Sequence, residues 1–259
     1  MPRARKRFGQ HFLHDKTIID RILRVIDPQP GENLVEIGPG RGALTYPLLS
    51  LCKKLTAVEL DRDLLPVLEA ESARFGMLEV INADILKFEL SGLPGEKRFR
   101  LLGNLPYNIS TPLMFHLLES VTLIQDMHFM VQKEVALRIC AASGEPNYGR
   151  LSVMLQYHCD CQYLFDVGPE SFTPSPKVDS AIIRLLPHQQ SKQDIGDYDI
   201  FSTIVRTAFS QRRKTISNSL KTILDREAFA ACDINPGLRA ENLRLEDFAK
   251  LSLASFNGV

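Results

Sequence analysis

The chain has 259 residues, 44% hydrophobic and 24% charged, with 31 basic side chains against 31 acidic ones. This is ordinary globular composition, with length for one large domain or a core domain and a small appendage. Its apolar runs are too short to cross a bilayer and its basic start, MPRARKRFGQHFL, has no apolar signal core, which argues against membrane and secreted classes and for a cytoplasmic location.

Residues 15–26, DKTIIDRILRVI, carry a helical apolar stripe that ends before Asp27-Pro28. Short apolar runs then alternate with helical patterns. NLVEIG (33–38) precedes ALTYPLLSLC, and KLTAVEL (54–60) precedes DLLPVLEAESARF. LEVINAD (78–84) follows, then FRLLGNL (99–105) before TPLMFHLLES and MHFMVQ (127–132) before KEVALRICAA. Strands rich in Leu, Val and Ile that alternate with helices predict a parallel sheet covered on both faces. Ligands bind such sheets beyond the carboxyl ends of the strands.

After residue 150 a helical LSVMLQYH leads to QYLFDV and, past a Pro-rich connection, to VDSAIIRLL, which predicts an antiparallel ending to the sheet. The polar stretch 188–198 reads as a linker. Residues 199–259 read as a small helical domain built from DIFSTIVRTAF, TISNSLKTIL, REAFAA and LEDFAKLSLA. The expected organisation is a catalytic domain over 1–187, with a basic segment over 1–14, followed by the linker and the helical domain.

Five cysteines without a second Cys or His pair at zinc spacing point to reduced, packed thiols and to no metal site. The charges are uneven. Residues 1–24 hold seven basic side chains against two acids, and residues 203–221 hold five against none. Two basic segments in a neutral chain suit a polyanionic partner gripped at defined places.

VEIGPGRGAL (35–44) lies at a strand-to-helix junction where glycines permit positive φ and close approach to a ligand. Gly38, Gly40 and Ala43 fit the dinucleotide pattern, whereas Gly38, Gly40 and Gly42 fit that of S-adenosylmethionine enzymes. Glu59, ending AVEL, suits the ribose hydroxyls of either cofactor. Asp84, ending INAD, favours S-adenosylmethionine, since a carboxylate there can accept from an adenine amine.

GNLPYNIS (103–110) ends the fourth strand. The exocyclic nitrogen of adenine is a poor nucleophile, and an enzyme that alkylates it must favour the pyramidal nitrogen of the transition state. Asn104 offers a side-chain acceptor for the amine. Pro106 fixes a turn in which the carbonyl of Leu105 or of Pro106 becomes the second acceptor. Tyr107 offers a face on which a base can stack, worth about 1–3 kcal/mol in nucleic-acid complexes.

Together these segments resemble the ribosomal small-subunit RNA adenine dimethyltransferase family, of the KsgA type. The resemblance runs through RFGQHFLHD (7–15), EIGPGRGALT (36–45), VELD (58–61), NADIL (82–86), GNLPYNIST (103–111), SFTPSPKVDSAIIRL (171–185) and AFSQRRKTISNSL (208–220). It implies a Rossmann-like α/β methyltransferase fold with a helical C-terminal domain and S-adenosylmethionine as cofactor. His11 and Leu13 would lie over the methionine end, with His11 standing where the family usually has Asn. Gly38 and Gly40 would approach the cofactor, Glu59 would take its ribose and Asp84 its adenine. Asn104 would serve both methyl donor and target amine, and Phe172 would supply an aromatic on the far side of the target base.

The implied reaction is dimethylation of N6 on two adjacent adenosines in a hairpin loop near the 3′ end of small-subunit rRNA. The implied partner is an immature 30S particle, bound by a monomer. Arg3, Arg5, Lys6, Arg7, Arg206, Arg212, Arg213, Lys214 and Lys221 would meet rRNA phosphates. Three rivals stand beside this reading. They are a NAD-dependent oxidoreductase, a non-catalytic RNA-binding assembly or transcription factor on the same fold, and a large-subunit rRNA adenine methyltransferase.

Overall fold

The structure, a computed structural model, describes residues 10–95, 98–190 and 192–257. The chain forms two compact units, one of Met1–Ala136 with Gln162–Pro187 and the other of Leu137–Cys161 with His188–Val259. The first unit ends at Pro187, and residues 137–161 group with the C-terminal helices.

In the first unit the described chain opens with a two-residue strand, β1 (Phe12–Leu13), and helix α1 (Lys16–Ile26). There follow β2 (Asn33–Ile37), α2 (Thr45–Cys52), β3 (Lys54–Glu59), α3 (Leu65–Ser72) and β4 (Met77–Asn82). Then come β5 (Phe99–Asn104), α4 (Ser110–Leu118), β6 (Ile124–Gln132) and α5 (Lys133–Cys140). Helix α6 (Arg150–His158) leads to β7 (Cys159–Val167), β8 (Phe172–Thr173) and β9 (Ser180–Pro187). Seven strands form one sheet in the order β4-β3-β2-β5-β6-β9-β7. Neighbours from β4 to β6 are parallel, and β9 joins β6 antiparallel, as the sequence predicts.

The chain winds outward from β2 to β4 and then returns to build β5 and β6 on the other side of β2. The order therefore reverses between β2 and β5, where doubly wound sheets open a crevice at their carboxyl ends. Gly103 brings these two strands close together, since a Cβ there would lie 2.3 Å from the Ile37 carbonyl oxygen.

Helix α1 is fixed at both ends. The Asp15 carboxylate accepts from the amides of Thr17 and Ile18 at 2.8 and 3.3 Å, satisfying donors that the first turn leaves open. Its apolar stripe buries Ile19, Ile22 and Ile26, each contributing about 2 kcal/mol. At its C-terminus the Arg100 guanidinium donates to the Ile26 carbonyl at 2.6 Å. Arg100 also holds both oxygens of Asp126, each at 3.0 Å, and Glu32 at 2.6 Å.

In the second unit α7 (Tyr198–Ser210) buries Phe201, Ile204, Val205 and Ala208 and packs against α6, α8 (Ile216–Ser219) and α10 (Leu245–Asn257). Asp197 caps α7 and Asp225 caps α9 (Arg226–Ala231). The helix expected over TISNSLKTIL shrinks to α8. The amides of Ile216 and Ser217 donate across to the carbonyls of Leu238 and Pro236, and this tie to a distant segment holds the backbone beside it. All five cysteines are free, and burial pushes Cys140 up to about 11 and Cys159 up to about 12, away from reactive thiolate. No described helix is long and apolar enough to cross a membrane.

Candidate active site

A cleft enclosing about 1100 Å³ of empty space, part of it open to solvent, lies at the carboxyl ends of β2, β3 and β5 in the first unit. Its wall includes His11, Leu13, Gly38, Gly40, Glu59, Asp84 and Asn104, all the cofactor candidates drawn from the sequence, together with Leu105, Pro106 and Tyr107.

The floor is the glycine turn between β2 and α2. Gly40 (φ 58°) and Gly42 (φ 82°) both take left-handed backbone. A Cβ on Gly42 would also fall 2.4 Å from the Tyr46 ring, so only glycine lets this turn lie flat against α2. Glu59 fastens the turn from the neighbouring strand. One carboxylate oxygen accepts from the Gly40 amide at 3.2 Å and the other from the Asp61 amide at 2.8 Å. Burial raises the pKa of Glu59, while these backbone bonds pull it down. Each oxygen keeps a further lone pair for a ligand hydroxyl. Asp84, just past β4, accepts from the Leu86 amide at 3.1 Å.

The wall formed by the end of β5 holds the acceptors. The Asn104 side chain donates through Nδ2 to the His11 carbonyl at 2.9 Å. A carbonyl can only accept, so the amide is oriented with Oδ1 turned away from it, and no described residue donates to Oδ1. The Pro106 carbonyl accepts from the Ile109 amide and from the Ser110 hydroxyl, both at 3.1 Å, at the start of α4. The Leu105 carbonyl accepts from no described group. Of the two carbonyls that the sequence leaves open, Leu105 therefore presents the uncommitted acceptor.

Residues 10–14 cross the cleft as a strap. Gln10 donates to Asp61 at 3.1 Å. The His11 ring stacks on Tyr107 with centroids 5.5 Å apart, and its Nδ1 lies 2.7 Å from the Pro174 carbonyl, to which it must donate. Phe12 lies under the Arg41 guanidinium at 4.2 Å. Strand β1 pairs antiparallel with β8, Leu13 opposite Phe172. The Tyr107 hydroxyl meets Ser180 at 2.7 Å, and burial raises its pKa. One face of Tyr107 is thus covered by His11.

Phe172 stands apart from these cleft residues. It is 3% exposed, belongs to the hydrophobic core with Leu13 and Ile182, and does not line the cleft. It lies directly opposite Leu13 in the pairing of β1 with β8, so it packs against the strap. Sequence reasoning also passed over two cleft residues, Arg41 and Glu36. The signal for Glu36 was an acid inside a buried apolar strand, at the penultimate position before a glycine turn.

In the second unit Arg206, Arg212, Arg213, Lys214 and Lys221 are all exposed. Helix α7 stops at Ser210, so Arg212 and Arg213 lie on a turn and Lys214 on the bend that follows it. Arg212 donates to the Pro146 carbonyl at 3.0 Å and lies 3.7 Å from Glu241. Arg3, Arg5, Lys6 and Arg7 lie outside the described residues.

The arrangement has known counterparts. The ribosomal RNA adenine dimethylase family model matches residues 1–255. Ribosomal RNA small subunit methyltransferase A of Marinomonas sp. (strain MWYL1) is 51% identical over 96% of this chain and 94% of its own. Its counterpart in Hahella chejuensis is 52% identical over 96% and 92%. Among solved structures, a dimethyladenosine transferase from Plasmodium falciparum superposes with a TM-score of 0.82 at 29% identity, covering 96% of this chain and 98% of that one. The 23S rRNA methyltransferase ErmE superposes at 0.73 with 27% identity, covering 94% and 98%. These matches run along nearly the whole length of both chains, and the chain belongs to the ribosomal RNA adenine dimethylase family.

Proposed function

We propose that this chain transfers methyl groups from S-adenosylmethionine to N6 of two adjacent adenosines in the 3′-terminal hairpin loop of 16S rRNA, and that it acts on an immature 30S particle in the cytoplasm as a monomer. The observation that carries this reading is the pair of uncommitted acceptors at the end of β5, Asn104 Oδ1 and the Leu105 carbonyl. Both can accept from the two hydrogens of an adenine amine and so favour the tetrahedral nitrogen of the transition state. After the first transfer the amine keeps one N–H, which either acceptor can still hold while the second methyl is delivered.

The donor set of the cleft fits the cofactor. Glu59 has lone pairs left for ribose hydroxyls, Asp84 suits an adenine amine, and the Gly38–Gly42 turn leaves its backbone open to close approach. When bound, the cofactor supplies an electrophilic methyl on a sulfonium. His11 and Leu13 cover the methionine end, His11 acting through its backbone carbonyl on Asn104 and through its ring on Tyr107. That division explains how His serves at a position the family usually fills with Asn. Tyr107 stacks the target base on the face away from His11. Arg206, Arg213, Lys214 and Lys221 neutralise rRNA phosphates, so affinity for the particle falls as salt rises.

Support for the small subunit over the large one comes from relatives at about 50% identity that carry the small-subunit name, against 27% for the large-subunit enzyme. The test is incubation of the protein and S-adenosylmethionine with under-methylated 30S subunits, with dimethyladenosine mapped by primer extension. Two adjacent stops near the 3′ end are expected. No stop there, with cofactor bound normally, would overturn the assigned target.

A further inference from the structure

Gln10, the first described residue of the strap, ties it to Asp61, just past β3. Its Nε2 donates to Asp61 Oδ2 at 3.1 Å, across 51 positions of sequence. Asp61 is 3% exposed, and its other carboxylate oxygen accepts from the Asp63 amide at 3.3 Å. The backbone amide of the same Asp61 donates to Glu59 Oε1 at 2.8 Å, and Glu59 Oε2 takes the Gly40 amide at 3.2 Å. Next to Gln10, the His11 carbonyl accepts from Asn104 Nδ2 at 2.9 Å. Phe12, the residue after it, is fixed by the pairing of β1 with β8. The carbonyl that orients Asn104 is therefore held on one side by a strand and on the other by the bond from Gln10 to Asp61. Bonds and adjacent residues lead without a break from the glycine turn through Glu59, Asp61, Gln10 and His11 to Asn104.

We propose that Gln10 and Asp61 are positioning residues for methyl transfer: their bond fixes the His11 carbonyl, and through it the atom that Asn104 turns toward the target amine. This rests on reading the cleft as the site of adenine methylation. The chemistry of an amide makes the arrangement sensitive. Asn104 carries an acceptor, Oδ1, and a donor, Nδ2, and half a turn about its last bond exchanges them. Among the described groups, the His11 carbonyl alone tells them apart. If the strap slides, Nδ2 loses its acceptor and can turn into the cleft, where it opposes the N–H of the amine donor to donor. Neither Gln10 nor Asp61 has to touch the reacting atoms, because a misplacement on the order of 1 Å caused from outside the chemistry can cost about 100-fold in rate.

Gln10 also lines the cleft, so the experiment has to separate positioning from direct contact with a ligand. Single-turnover transfer from labelled S-adenosylmethionine to under-methylated 30S subunits, at saturating cofactor, reads the effect in the full chain. Gln10→Glu sets one carboxylate against another and should slow transfer by about 10- to 100-fold. Adding Asp61→Asn supplies a donor to that new carboxylate and rebuilds the tie with its direction reversed. The pair of changes together should recover the rate to within about fivefold of wild type. In an Asn104→Ala background Gln10→Glu should cost less than about threefold, because the side chain it positions is gone. A loss that persists in the double variant, or losses that multiply with Asn104→Ala, overturns the proposal, since Gln10 would then act on cofactor or RNA directly. Were Gln10→Glu to misfold, Gln10→Ala in wild-type and Asn104→Ala backgrounds decides by the same additivity test. Wild-type protein that binds cofactor but methylates no adenosine would instead overturn the reading of the cleft, and the proposal with it.

Discussion

The two ends of the central sheet solve opposite problems with the same strands. Near the amino end, Arg100 on β5 gives its donors to both oxygens of Asp126, to Glu32 and to the last carbonyls of α1. At the carboxyl end of β5, Asn104 and Leu105 each keep an acceptor that no described donor fills. A buried ion pair holds a fold only when its partners are satisfied. A catalytic end needs groups oriented by their neighbours yet left open for a ligand. The three residues between Arg100 and Asn104 separate a buried ion-pair network from a pair of open acceptors.

The sharpest way to break this contrast is to remove the cation at the ion-pair end. Arg100→Met leaves Asp126 and Glu32 without their shared partner and should cost about 3–5 kcal/mol of stability, read by denaturant unfolding, with turnover per folded molecule unchanged. At the open end Asn104→Ala should do the reverse. Single-turnover methyl transfer should fall about 100-fold, while calorimetry finds cofactor affinity within a few-fold of wild type and the unfolding midpoint barely moves. An unchanged rate would refute the acceptor role.

Acid probes the ion-pair end again. His128 is buried beside Asp126, Arg100 and Arg184, and burial lowers its pKa from 6.5 to about 4. Its folded pKa lies below its unfolded one, so the unfolded state binds the proton first. Stability is full above about pH 6.5 and declines as pH falls toward 4, by on the order of 3 kcal/mol. Unfolding titrations across that window should show the slope, and His128→Gln should flatten it. The smallest effect is expected from Tyr107→Phe, which removes the bond to Ser180 and keeps the ring. A loss of about 1 kcal/mol in stability, with methyl transfer within about threefold of wild type, would assign Tyr107 to stacking and not to proton transfer.

Much of the cleft was legible because its residues sit where local pattern changes. Gly38, Glu59, Asp84 and Asn104 each end an apolar run, and strands of a parallel sheet deliver their ends to one side. What escaped depends on contacts distant in sequence. Phe172 opens β8, a two-residue strand paired with Phe12 and Leu13 from the far end of the sequence, and it packs in the core beside Leu13. The choice between the Leu105 and Pro106 carbonyls was set by Ile109 and Ser110 opening α4, which no short motif encodes. Residues 137–161 read as part of the catalytic domain because β7 continues directly from α6, yet α6 packs on α7 within the second unit. Glu36 was hidden by its own strand, where burial and an ionisable group share five residues.

The strap carries a consequence for how the protein is made. His11, whose carbonyl orients the Asn104 amide, is secured by Pro174, a residue 163 positions later. On a ribosome the glycine turn and β5 emerge well before that partner exists. The clasp over the cleft cannot close until synthesis has passed β8. The chain therefore completes the wall of its own cleft only after most of its length has been synthesised.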